Sequence, residues 1–207
     1  MMAADAGIVL ELHAGRPLHL ILFRGVSNGA VLRDRVIAGE IDAALMDATM
    51  LTGSLHLLAA ANKALLAEST KMITKSLYAE LVYSLSATRN IDASLRTFGV
   101  SDGTSDVVAA FFGGGGVGLG GADERARAIA ATVEGERVLL AGAGASPSGE
   151  SAAVLARLDA PDRTCPRRAP SERVRQLFKI GEREVPVGAP VSALQEAVVL
   201  RLATKEC

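Results

Sequence analysis

The sequence predicts an α/β fold, with a mixed β-sheet, helices packed on it, and a single domain interrupted by two flexible insertions. Three observations carry this. Leu18–Phe23 (LHLILF) and Asp106–Phe112 (DVVAAFF) are short apolar runs bounded by polar turns, as buried strands are. Ser54–Val100 breaks into three helical segments, each with a capping residue at its start. Glycine clusters in 113–122, and the composition of 142–170 shifts to Gly, Ser, Ala, Pro and Arg.

Taken in order, Leu18–Phe23 reads as a strand buried on at least one face. Ser27 then caps a helix ending near Gly39, with Val26 stapled against Val31 across the cap. Leu32, Val36 and Ile37 are expected to face the sheet, and Arg33, Asp34 and Arg35 to face water. A further strand is expected around Leu45–Leu51.

In the three-helix stretch, Ser54 is expected to cap the first helix, Thr74 or Ser76 the second and Asn90 the third. Asp92 then favours the positive end of the third helix and Arg96 its last turn, and Gly99 offers a left-handed stop. On the first helix, a step of 100° per residue aligns Leu55, Leu58, Leu65 and Leu66 into one stripe with Asn62 in its middle. The opposite side carries Ala59, Ala60 and Ala67 beside His56 and Lys63, and its small side chains admit another backbone closely. Glu80 is a lone acid on an apolar helix, expected to bond a nearby turn.

Asp106–Phe112 reads as a strand, followed by the glycine run, a helix from Asp123 and a strand in VLLAGAG. Gly116, Gly118 and Gly121 fit GxGxxG, which supports a nucleotide- or dinucleotide-dependent enzyme as an alternative reading. Asp123 and Glu124 would repel a pyrophosphate at that helix start, and the following strand ends without the acid that binds a ribose. A flexible glycine loop is therefore preferred. Between Arg157 and Arg175 six arginines face three acids. Such a run reads as a solvated, mobile segment with phosphate contact as the alternative. Ser171 is a cap for the next helix, and Ser192 with Gln195 a capping box for the closing one. That closing helix has Leu194, Val198 and Leu202 on one side and Val199, Leu200 and Ala203 on the other. A helix apolar nearly all round needs cover on both sides, so one cover is expected to be a partner protein.

Basic and acidic side chains number 22 and 23, for a formal net charge of −1, so any nucleic-acid contact must be a local patch. Cys165 and Cys207 have neither metal-ligand nor CxxC spacing, and a reducing compartment is the default. The start MMAADAGIVLEL does not read as a secretory signal, no run is long enough for a membrane helix, and Cys207 lies too late for a prenylation box. A soluble intracellular protein without cofactor or metal is expected. His13, His19 and His56 have no second ligand at short spacing, and no GxSxG, HExxH or P-loop motif is present.

AANKALL followed by YAELVYSLSATRNIDASLRTFGV resembles the TPRKB family, the kinase-binding subunit of the EKC/KEOPS complex. LHLILFRGVSNGAVLRDRVIAGEIDAALMD looks like that family's opening strand and helix, and VRQLFKI and ALQEAVVLRLATKE like its last segments. The resemblance implies one TPRKB-like domain over 1–207, in which the 113–122 and 142–170 loops are longer than the family's. It implies a subunit without an active site, in cytoplasm and nucleus. Such a subunit binds a PRPK-type atypical kinase, and through it the rest of the EKC/KEOPS complex, and supports tRNA binding during threonylcarbamoyl-adenosine synthesis. The kinase contact is expected at Leu194, Ala197, Val198, Arg201 and Leu202. The tRNA contact, from local charge and the resemblance, is expected at Arg24, Lys63, Lys71 and Lys75.

Overall fold

A computed structural model describes residues 8–10, 16–113, 121–138, 147–159 and 171–205. Most of the glycine run, His13, Cys165, Cys207, Arg163, Arg167 and Arg168, and most of VLLAGAG lie outside the described residues. The chain forms two compact units, 1–48 with 99–156 and 49–98 with 157–207.

The first unit is built on a sheet of β1 (Ile8–Leu10), β2 (Arg16–Arg24), β3 (Ala44–Asp47), β4 (Val107–Phe112) and the short β5 (Glu136–Arg137). The order is β1-β2-β4-β3, with β5 also on β2, and every described pairing is antiparallel. All six residues of β4 are buried, as are Leu18–Phe23 of β2. That is why both segments read as unbroken apolar runs: a strand covered on both faces has no polar alternation. His19 lies in β2, stacked on Phe111 at 4.9 Å.

β2 pairs with β4 along Leu18–Phe23, while β1 takes only its start and β5 only its end. Between those two partners the Leu20 N–H is satisfied by a side chain instead, donating to Ser151 Oγ at 2.9 Å. Ser151 is fully buried on α6 (Pro147–Asp159). Leu22 C=O accepts from Val138 N–H at 2.9 Å. The expected mobile insertion at 142–170 is thus corrected in part. Residues 147–159 form a helix with Ser151, Val154 and Leu158 buried, because its apolar spacing outweighs a composition that looks unstructured.

Two further helices complete this unit. α1 (Gly29–Ala38) starts after Asn28 and stops at Gly39, left-handed at φ 76°, as expected. Only Leu32 of its three expected inward residues is buried, and Ile37 is 76% exposed. Val31 is also exposed, so the staple to Val26 does not form. The start is held by Asn28 rather than Ser27: Asn28 Nδ2 donates to Thr132 C=O at 2.9 Å and its Oδ1 accepts from Glu134 N–H at 3.1 Å. Gly29 is required there, since a Cβ would lie 2.3 Å from Ser101 C=O. α5 (Ala122–Thr132) is tied to the sheet by Arg125, which donates to Phe112 C=O at 2.8 Å and pairs with Asp42 at 2.7 Å.

The second unit is helical: α2 (Ser54–Ser69), α3 (Leu77–Ser84), α4 (Ile91–Phe98), α7 (Ser171–Phe178) and α8 (Val191–Ala203). The expected strand to Leu51 stops at Asp47 and gives way to a 3-10 turn, Ala48–Met50. Ser76 and Asn90 cap α3 and α4 as the sequence indicates, accepting from Ala79 and Ala93 N–H at 3.1 and 3.0 Å. Gly99 has no positive φ and forms an isolated bridge with Met46, so α4 ends by passing into sheet pairing rather than by a left-handed stop. None of the described helices is long and apolar enough to cross a membrane.

Replacing Ser151 by alanine leaves the buried Leu20 N–H without its acceptor. Stability should fall by about 1–3 kcal/mol, read as a lower denaturant midpoint at unchanged m-value. An unchanged midpoint would show that the edge of β2 does not depend on this bond.

Candidate functional site

The helical unit is organised on the segment Thr52–His56. Ser54 N–H donates to Asp159 Oδ1 at 2.8 Å, and Ser54 Oγ donates to Asp159 Oδ2. The cap of α2 therefore comes from Asp159, 105 residues later, and Ser54 lies inside the helix. Gln195 Nε2 donates to Thr52 C=O at 2.8 Å. That use of Gln195 replaces the expected capping box, and Pro190 occupies the N-cap position of α8.

His56 closes the arrangement. Its Nδ1 accepts from Thr52 N–H at 3.3 Å, and its Nε2 lies 2.9 Å from Leu85 C=O. A backbone N–H can only donate and a C=O only accept, so the ring is neutral with its proton on Nε2. Phe98 and Phe178 meet the ring edge-on at 5.8 and 5.6 Å. Burial lowers its pKa from 6.5 to about 4, opposed by the Leu85 bond. The sequence places His56 on the alanine side of α2, opposite the leucine stripe, where another backbone could come close, and that side is the one that packs inward. The buried face is His56, Leu57, Ala60, Ala61, Ala64 and Leu65, while Leu55 and Leu66 are 44% and 55% exposed. The alanines win the inner position because α3 and α8 pack against α2, and small side chains allow helices to approach.

Glu80 does bond a turn, as expected. Its Oε2 accepts from Ile73 N–H at 3.0 Å, Thr74 N–H at 2.7 Å and Thr74 Oγ1 at 2.7 Å. This fixes the loop 70–76, on which Lys71 and Lys75 are exposed. Lys63 is half-buried, and its Nζ donates to Leu202 C=O at 3.0 Å. Arg24 lies in the other unit at the end of β2, with Nε and Nη2 enclosed and Glu136 as its cross-strand neighbour. Asn62 bonds its own helix, Nδ2 donating to Leu58 C=O at 3.0 Å.

On α8 the expected contact residues Leu194, Ala197, Val198 and Leu202 are all buried within this chain. They form the inner face of the helix, and in this arrangement a partner cannot reach them. Arg201 pairs with Glu184 at 2.7 Å and is partly exposed. The outward side carries Leu200, 64% exposed, with Glu196 and Ala203.

The dinucleotide reading fares poorly. Gly116 and Gly118 lie outside the described residues, and Gly121 precedes α5, whose first turn holds Asp123 and Glu124. A dinucleotide unit needs parallel strands joined through the helix, whereas β4 runs antiparallel to both its neighbours. Among the described residues no three His, Cys, Asp or Glu side chains gather as metal ligands.

The profile of a family described as kinase binding protein CGI-121 matches residues 23–206. Among curated proteins, the chain is 38% identical over 99 residues to the EKC/KEOPS complex subunit TPRKB of Danio rerio, covering 47% of this chain and 57% of that protein. It is 33% identical over 101 residues to the EKC/KEOPS complex subunit cgi121 of Aspergillus fumigatus, covering 47% and 53%. With the CGI121 subunit of Yarrowia lipolytica the identity is 38% over 96 residues, covering 45% and 57%. The chain spans about half the length of the curated relatives it matches.

His56 gives the helical unit a signed pH dependence. The unfolded chain takes the proton near 6.5 and the folded one only near 4, so stability is full above 6.5 and is lost as pH falls toward 4. At about 1.4 kcal/mol per pH unit, the whole interval is worth roughly 3 kcal/mol. Unfolding at a series of pH values should show this slope in the wild type and a shallower one in His56→Gln. Parallel curves would remove His56 as the cause.

Proposed function

Because the chain belongs to the kinase-binding protein CGI-121 family, we propose that it is a non-catalytic subunit of an EKC/KEOPS complex that docks on a PRPK-type atypical kinase. The match over 23–206 is the observation that carries this reading. The relatives named above are EKC/KEOPS subunits, and the chemistry of the fold agrees. Of the buried titratable groups, His56 is locked between two backbone groups, and Glu80 is spent on a loop. Neither is poised to act on a substrate.

The docking surface centres on the outward side of α8, with Leu200 as its apolar anchor and Arg201 at its rim. Fully burying an exposed leucine side chain contributes about 1.5–3 kcal/mol. Through the kinase the subunit joins the rest of the complex, in cytoplasm and nucleus, and supports tRNA binding during threonylcarbamoyl-adenosine synthesis. The tRNA contact falls to Lys71 and Lys75, which are exposed on a loop held by Glu80. Lys63 and Arg24, both half-buried, are less open to a phosphate than these two exposed lysines.

Leu200→Glu should weaken co-elution with the kinase about tenfold or more at an unchanged melting temperature. Leu66→Glu, on the exposed side of α2, serves as the comparison. Loss of binding only in the Leu66 variant would move the dock to α2, and full binding by both would reject an apolar dock on either helix.

Reversing charge at Lys71 and Lys75 together should weaken tRNA retention by the assembled complex. The salt dependence of binding should flatten by about one unit of log–log slope for each lysine–phosphate pair removed. Retention and slope both equal to wild type would exclude this loop.

A further inference from the structure

Three cations converge on the carboxyl end of α8. Lys63 Nζ, from α2, donates to Leu202 C=O at 3.0 Å. Arg89 Nε, from the segment between α3 and α4, donates to Lys205 C=O at 2.8 Å. Lys205 folds back in turn: its Nζ donates to Tyr83 C=O, at the end of α3, at 2.8 Å and sits 3.2 Å from the centre of the Tyr83 ring. Lys205 is only 5% exposed.

Two of these bonds, to Leu202 C=O in α8 and to Tyr83 C=O in α3, fall in the last turn of a helix, while Lys205 C=O lies just beyond α8. The last carbonyls of a helix have no partner within it, and they carry the negative end of its dipole. A cation there gains from both, and a charged donor strengthens the bond further. The ring face of Tyr83 adds a cation–π contact. The start of α8 is held separately, by Gln195 on Thr52 C=O. Between these two anchorages the helix is held by its apolar inner face, Leu194, Ala197, Val198 and Leu202. Leu200 lies in the last turn and a half, next to the three-cation end.

We propose that Lys205, Arg89 and Lys63 form a conformational latch, and that α8 presents Leu200 to its partner only while the latch is closed. These are positioning residues: they act through the placement of α8 and do not themselves touch the partner. The inference rests on the docking reading above and adds what regulates that surface. A latch of this kind makes binding depend on the fraction of molecules with α8 closed, so opening it lowers apparent affinity by that fraction.

The test uses the full chain and the purified kinase. In Lys205→Met, amide exchange of Val199–Ala203 should speed up about tenfold, the effect of removing one charge-assisted bond, while Val107–Phe112 keeps its wild-type protection. In the double variant Lys205→Met with Arg89→Met, association with the kinase should slow about tenfold and dissociation should stay unchanged, as expected when the competent state is depleted. Arg89→Met alone serves if the others fail to fold, with the same direction and a smaller effect.

Wild-type exchange in α8 of these variants would overturn the latch. Faster exchange with unaltered association would overturn its link to docking. A faster dissociation instead would make Lys205 or Arg89 a direct contact, against the proposal. If the wild-type chain itself does not bind the kinase, the docking reading fails, and the exchange measurement alone decides whether the latch exists.

Discussion

The bonds that tie the helical unit together converge on the backbone beside Gly53. A Cβ there would lie 2.0 Å from Gln195 Nε2 and 2.9 Å from Asp159 Oδ1. The backbone at Gly53 is extended, with φ 160°, so the demand is for space rather than for an unusual conformation. That space lets Asp159 cap α2 and lets Gln195 reach Thr52 C=O. The next turn then carries His56 into the core, where Thr52 and Leu85 take its two nitrogens. Hydrogen bonds from α8, the end of α6 and the residue after α3 thereby meet around a single loop.

The sheet unit solves a different problem. A central strand buried on both faces must still pair every backbone group, and β2 has full-length pairing on one edge only. Ser151 takes the place of a missing strand neighbour at Leu20. A hydroxyl on a helix here does what a ladder bond does elsewhere, which explains why a serine is buried in an otherwise apolar layer.

Several charges of the helical unit are committed to helix ends and loops. Lys63, Arg89 and Lys205 hold carbonyls at the ends of α8 and α3, and Glu80 holds the loop 70–76. A count of basic residues therefore overstates the surface open to a polyanion. Exposed apolar side chains on α2 and α8, rather than a basic field, are the outward features most suited to a protein partner.

The sequence alone was sufficient for the two buried strands, the three-helix stretch, the cap at Asn90, the stop at Gly39 and the family, and it narrowed the cap of α3 to Thr74 or Ser76. These are local signals: an unbroken apolar run, a hydroxyl or amide before a helix, a glycine after it. The inward face of α2 was legible only in part: the small side chains marked one side as open to close approach, but both of its stripes are apolar enough to bury. Only the neighbours α3 and α8 decided that the alanine side turns in. The same holds for Lys63, Gln195, Ser54 and Asp159, whose partners stand more than a hundred residues away. A hydrogen bond across such a separation leaves no periodicity in the chain. Local propensity chose the elements, and the fit of one helix against another decided which side chains were left to face a partner.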